Sequence, residues 1–304
     1  MDQVDVYLYG MILATNSFLL KNDFPVVDTY GEISVKYKLP GGETGTSATI
    51  LDSLGCSIKV DGNYMGNQVF PLIKEFYANK RVDLTSLTYE EDYNGLEDFV
   101  IIDKNTRTVF GMFEAFFEDS VKRWNMPKRE DIEAAKVVGL DPFFGEASKK
   151  AAIICHELGK KYVTIDCHYE SLLHNYADVT VISNEYLGSS EVKNDDKEEL
   201  FKEYVNHTEG LVIFTKGAKE VSYGRKGQEI KKFTPYQVDT VSTLGAGDTF
   251  KAGCVYGLYR GMGDDELVQF ASACAGLACT KFPLPLNPPT LEEVETLIRG
   301  RLVK

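Results

Sequence analysis

The chain has 304 residues, of which 43% are hydrophobic and 26% charged, with a formal net charge of −13. That length suits one large α/β domain or two small ones, and the composition is that of an ordinary globular protein. The acidic balance argues against a broad nucleic-acid or anionic-membrane surface, but leaves room for a local anion site.

No basic segment with a long apolar core follows Met1, so no signal peptide is expected. No stretch nears the roughly 18 apolar residues of a membrane span, and a cytoplasmic location is expected. Residues 4–9 read as a strand ending at Gly10. A polar and apolar mixture with no clear period runs from Asn16 through Pro25 and Asp28 to Pro40. Within it, residues 31–39 alternate at period two, as a half-exposed strand does. Residues 46–54 read as a helix, 57–60 as a short strand and 67–79 as a second helix. Residues 99–103 and 108–113 form a hairpin pattern. Beyond it, strands at 136–140, 162–166, 179–182 and 211–215 alternate with helices at 145–158 and 197–206. Residues 189–199 are acidic and polar, the signature of a solvated loop. A hairpin at 220–223 and 230–233 precedes three helices, opening near Gly247 and at 264–280 and 290–301.

Strands alternating with helices predict a doubly wound α/β fold, with a mostly parallel sheet covered on both faces. One domain over residues 1–304 is expected. Ligands in such folds bind at the carboxyl ends of strands. Gly10, Asp141, Asp166, Asn184 and Thr215 fall at those ends. The six cysteines form no C-x-x-C pair, and those in apolar helical contexts read as buried free thiols. The four histidines form no close metal-binding pair.

The sharpest motif is Leu244-Gly245-Ala246-Gly247-Asp248-Thr249-Phe250. Two glycines allow a tight turn and a close backbone approach to a ligand. Backbone N–H groups opening the next helix can hold an anion. Asp248 stands beside them as a candidate base for a hydroxyl proton. A plain alternative is a glycine turn with Asp as a helix cap. A second glycine turn, Gly41-Gly42, leads into Thr46. Asn16 and Asp28 offer polar groups for hydroxyls. Asn184 ends a strand with polar groups, and Thr215-Lys216-Gly217 ends another in a hydroxyl and a glycine suited to a nucleotide phosphate.

In order and spacing these motifs resemble the ribokinase-like carbohydrate kinases, also called the phosphofructokinase-B type, with ketohexokinase- and fructokinase-like features. Gly245-Ala246-Gly247-Asp248-Thr249-Phe250 matches the family's G-A-G-D-x-F signature. Gly41-Gly42 matches its glycine pair, Leu54-Gly55 its following L-G, and Thr215-x-Gly217 its nucleotide-side T-x-G. The resemblance implies the doubly wound core plus a small β-sheet lid from about residues 12–40 and 96–115. It implies transfer of the ATP γ-phosphoryl group to a sugar hydroxyl with Mg²⁺, a monovalent cation being a further candidate cofactor. Asp248 is then the base, and the N–H groups of Gly245, Ala246 and Gly247 the anion hole. Asn16, Asp28, Gly41, Gly42, Thr46 and Arg107 become substrate-side candidates, and Asn184, Thr215, Gly217 and Gly247 nucleotide-side ones. Asp141, Asp166 and Glu185 are candidates for the metal. The implied partners are a small sugar, ATP and a second copy paired through the lid, with no nucleic acid and no membrane.

The family pattern is broken on the sugar and metal sides. Asn16 stands where the family usually has Asp, Thr46 where it has Asn, Tyr64 where it has Asp, and Ser242 where it has Asp. The usual N-x-x-E reads Asn184-Glu185-Tyr186-Leu187. Two other readings follow: a weakly active, ligand-binding regulatory member, or a nucleoside kinase. Phe110, Phe113, Phe116, Phe117 and Trp124 would stack on a base in the latter, or else form a lid interface.

Overall fold

The computed structural model describes residues 3–104, 106–188 and 197–302, without the side chains of 301 and 302. The elements run β1 (Val4–Gly10), β2 (Leu13–Leu20), β3 (Ile33–Gly41), α1 (Gly42–Ser53), β4 (Ile58–Gly62), β5 (Met65–Gly66), α2 (Phe70–Tyr77), β6 (Val82–Asp83), β7 (Tyr89–Glu90), β8 (Glu97–Ile102) and β9 (Arg107–Gly111). Then come α3 (Phe113–Glu118), α4 (Arg129–Ala134), β10 (Ala135–Leu140), α5 (Glu146–Leu158), β11 (Lys161–Ile165), α6 (Leu172–Asn175), β12 (Val179–Ser183) and α7 (Asn184–Leu187). The chain continues through α8 (Lys197–Asn206), β13 (Leu211–Thr215), β14 (Val221–Gly224), β15 (Lys231–Phe233), α9 (Ala246–Arg260), α10 (Asp264–Cys279) and α11 (Leu291–Leu302).

Nine strands form the large sheet, in the order β15-β14-β13-β12-β11-β10-β1-β4-β6. The pairs from β13 to β6 are parallel, and the β14–β15 hairpin closes one edge antiparallel. The first four residues of the central strand Leu211–Thr215 are all apolar and buried, because both of its faces are covered. Strand order reverses between β1 and β10, which opens a crevice at their carboxyl ends. Gly10 and Asp141 stand in that crevice. A Cβ on Gly10 would lie 1.9 Å from the Asp141 carboxylate, so only glycine admits it.

A separate four-stranded sheet, ordered β3-β2-β8-β9, stands over this end. It uses residues 13–41 and 97–111, close to the two segments expected to form the lid. One of its strands, β2, lies in the segment that shows no clear period. The reason is local. Thr15 and Ser17 are inward-facing residues of β2, and they face the cavity rather than an apolar core. Apolar alternation, the usual strand signal, is therefore erased.

α1 opens at Gly42, four residues before the expected start, directly on the glycine pair. The first hairpin ends at Gly111 and α3 follows at once. Of the expected acidic loop, residues 189–196 lie outside the described residues, and 197–199 already belong to α8. All six cysteines are unpaired, and five of them are buried. Among the described residues no helix is long and apolar enough to cross a membrane.

Candidate active site

α9 begins on the glycine turn. Gly245 caps it at φ 76°, a left-handed conformation that strains any side chain, and an added Cβ would meet Leu284 at 2.9 Å. Gly247 differs: it is already helical, and nothing lies within 4 Å of an added Cβ. The opening N–H groups of a helix lack intrahelical partners and carry the positive end of its dipole. Of the three expected to hold an anion, the Ala246 N–H instead donates to the Thr243 carbonyl at 3.3 Å. Gly247→Val is expected to fold normally, with its melting temperature within about 2 °C of wild type. It is expected to lose turnover, because the new side chain stands in the cavity that Gly247 lines. Melting curves and an ATP-consumption assay check this, and full activity would overturn the expectation that this turn holds an anion during turnover.

Asp248 follows in the first turn, half-buried on the wall of a cavity of about 870 Å³. The small sheet supplies Thr15, Ser17, Asp98, Arg107 and Val109 to that cavity. The end of β3 adds Gly41, and the large-sheet side supplies Gly42, Glu43, Thr46, Asp166 and Glu185. Burial and the nearby Asp141 carboxylate push Asp248 up to about 6, against the pull of Lys251, Arg107 and the Thr46 hydroxyl. Burial, Asp248 and Asp141 raise Glu43 well above the usual carboxylate range.

Asp141 and Lys251 form an ion pair with no solvent exposure on either side chain. Asp141 Oδ2 also accepts from the Met11 N–H at 2.8 Å and the Thr44 hydroxyl at 2.9 Å. One carboxylate therefore ties together the end of β10, the β1–β2 junction, the start of α1 and the second turn of α9.

The profile of pfkB family carbohydrate kinases matches residues 37–289. The chain belongs to this family. Among relatives, it is 22% identical to the 5-dehydro-2-deoxygluconokinase of Clostridium beijerinckii over 306 residues, 91% of this chain and 90% of that one. It is also 22% identical to that of Halalkalibacterium halodurans over 184 residues, 60% of this chain. The chain spans about half the length of that relative, 51%. Its fold is similar to Arabidopsis thaliana ribokinase complexed with ribose and ATP, at TM-score 0.79, 17% identity and coverage of 98% and 99%. It is also similar to a nucleoside kinase of Methanocaldococcus jannaschii, at TM-score 0.75, 16% identity and coverage of 99% and 100%.

In this pfkB family protein, several expected site residues do not reach the cavity. Asn16 points to the opposite face of β2, where its amide donates to Glu97 at 2.9 Å and to the Asp98 carbonyl at 3.1 Å. The two-residue period of a strand puts its neighbours Thr15 and Ser17 inside instead. Asp28 is exposed in the β2–β3 connection at φ 65°, away from the cavity wall. Asp141 is unsuited to a metal, since both of its oxygens are engaged and it has no exposure. Asn184, Thr215 and Gly217 also stand off the wall. Thr215 lies beside Ser183 in the sheet register, and Asn184 accepts from Lys197 at 3.2 Å.

Other expected residues do meet at the cavity. Arg107 reaches from the small sheet to Glu185 at 3.1 Å, bridging the cavity mouth. Asp166 accepts from the Ser183 N–H at 2.7 Å and its hydroxyl at 2.8 Å, and burial raises it to about 6. Of the aromatics, Phe113 and Phe117 line the cavity, whereas Phe116 and Trp124 pack with Phe144 in the interior.

Three residues of consequence were not singled out from the sequence. Glu43 directly follows the Gly41-Gly42 pair. Lys251 is a lysine within an apolar helical run, which already implies a buried partner. Asp98 is a carboxylate at an inward position of a strand whose other inward residues are Val100 and Ile102.

Proposed function

We propose that this protein transfers the γ-phosphoryl group of ATP to a hydroxyl of a sugar or sugar derivative. One observation carries the reading. Asp248 stands half-buried at an open helix N-terminus, on a cavity walled on its far side by the small sheet. Asp248 takes the hydroxyl proton as that oxygen bonds to the γ-phosphorus and the bond to the leaving ADP oxygen breaks. The N–H groups of Gly245 and Gly247 stabilise the phosphoryl oxygens. The adenine would lie between the segment after Thr215 and the end of α10. Among the described residues no three His, Cys, Asp or Glu side chains gather as a metal site. Mg²⁺ would enter with the triphosphate, held mainly by phosphate oxygens and water.

The base must be ionised to act. With Asp248 raised to about 6, kcat/KM is expected to hold above about pH 7 and to fall as pH drops through about 6. A profile that stays flat from pH 5 to 8 would remove Asp248 from that role.

The small sheet would act as a lid that closes over the sugar and excludes water, a competing acceptor. We also propose that its outer face pairs two copies. Phe99 and Phe110 are directly opposed there, each about half exposed, at 48% and 49%. An apolar patch of this kind favours a protein interface. A molar mass in solution that stays monomeric at high concentration would exclude the dimer.

A panel of ketoses, aldoses, sugar acids and nucleosides, assayed by ATP consumption, tests the reaction. Phosphorylation of a sugar supports it. Turnover of nucleosides alone would favour the second reading, for which Phe113, Phe117 and Phe143 on the cavity wall are the motivation. Tight binding with negligible turnover would favour a regulatory member.

A further inference from the structure

Asp98 is the second residue of β8, turned toward the cavity and 8% exposed. Its Oδ1 is buried and, among the described residues, has no hydrogen-bond partner. Parallel pairing sets Thr15 of β2 beside it, and the Thr15 hydroxyl bonds the carboxyl. Nearby cations are engaged elsewhere. Lys38 pairs with Glu97 at 2.6 Å, and Arg107 pairs with Glu185. Leaving a buried carboxylate oxygen unpartnered is costly, and a folded protein retains such a group where a ligand completes it.

The surroundings say what kind of ligand. Asp98, Glu43 and Asp248 line one cavity, and the charge on Asp248 helps burial to raise Asp98 to about 6. This end of the cavity is rich in acceptors and poor in protein donors. A matching ligand must bring the donors itself. The polar group the sequence suggested for that task, Asn16, faces the other way.

We propose that Asp98 anchors the phosphoryl acceptor by accepting a hydrogen bond from its donor groups, either sugar hydroxyls or a protonated sugar amine. This makes Asp98, on the small sheet, the residue that selects the substrate, while Asp248 on α9 performs the chemistry. The kinase reading enters only in naming the ligand as the phosphoryl acceptor.

The test compares wild type with Asp98→Asn and Asp98→Leu, using ATP with neutral ketoses and aldoses and with amino sugars. Asp98→Leu is expected to raise the acceptor KM about 10- to 100-fold and to leave the ATP KM within about twofold. Asp98→Asn separates the two donor sources. If hydroxyls are bound, it keeps part of the affinity. If an amine is bound, it loses as much as Asp98→Leu, because the charge is gone. Without ligand, Asp98→Leu is expected to melt about 2 °C or more above wild type, since the unpartnered oxygen is removed.

An unchanged acceptor KM overturns the proposal. So does a fall in melting temperature with both KM values rising together, which marks a structural residue. Should wild type phosphorylate no sugar, the kinase reading fails separately, and sugar-induced melting shifts still decide the role of Asp98. A shift in wild type that is lost in Asp98→Leu supports it. Equal shifts in both proteins, or none in either, overturn it.

Discussion

Asp248→Asn is expected to lower kcat by about 10²- to 10⁴-fold, the range by which a positioned base accelerates proton removal. Asn keeps the shape and the hydrogen-bonding reach of Asp but cannot take the proton. The Thr46 hydroxyl that bonds Asp248 keeps an acceptor in the variant. The fold is expected to persist, and its melting temperature to hold or rise, because a half-buried carboxylate crowded by Asp141 is removed. Nucleotide binding should survive, since the helix N-terminus is untouched. Steady-state kinetics beside nucleotide titration separate the two. Near-wild-type turnover would sink the assigned role of Asp248.

Lys251→Met carries the largest expected effect on stability. Lys251 and Asp141 are both fully buried and paired. Removing one partner of such a pair leaves an uncompensated buried charge, a loss of about 3–5 kcal/mol. Asp141 holds Met11 and Thr44 through its other oxygen, so the loss spreads to the β1–β2 junction and the start of α1. The double variant Lys251→Met with Asp141→Asn is expected to recover more than half of it. Asn is neutral and still accepts from the Met11 N–H. Urea unfolding of wild type, both single variants and the double variant gives the coupling directly. If Lys251→Met alone costs less than about 1 kcal/mol, the pair does not hold these elements together.

The two kinds of carboxylate in this molecule show where sequence reading stops. Asp248 was legible because its glycines, its helix and its apolar run are contiguous. Asp98 was not, because its meaning depends on Thr15, which is remote in sequence and adjacent only through strand pairing. Asn16 misled for the same reason. As a polar residue after the first strand it is a fair candidate for a hydroxyl ligand, yet a one-residue difference in a strand reverses the face. Asp28, a polar candidate for hydroxyls in the segment after the first strand, lies in an exposed turn that no local pattern distinguishes from a binding loop. Lys251 was visible as an anomaly, a lysine inside an apolar run. Its partner, 110 residues away, was not.

By itself the sequence determined the alternation of strands and helices from residue 136 onward, and the glycine turn that opens α9. These are local signals: the hydrophobic period, glycine where φ is positive, and a carboxylate in the first turn of a helix. The tertiary structure alone decided which polar groups share the cavity. β2 pairs antiparallel with β3 and parallel with β8, and that register turns Thr15, Ser17 and Asp98 inward and Asn16 outward. It also decided that Asp141 is tied to Lys251 in the interior rather than open to a metal. Both outcomes depend on pairings between distant segments, which side-chain period cannot encode and which only burial in one common core fixes.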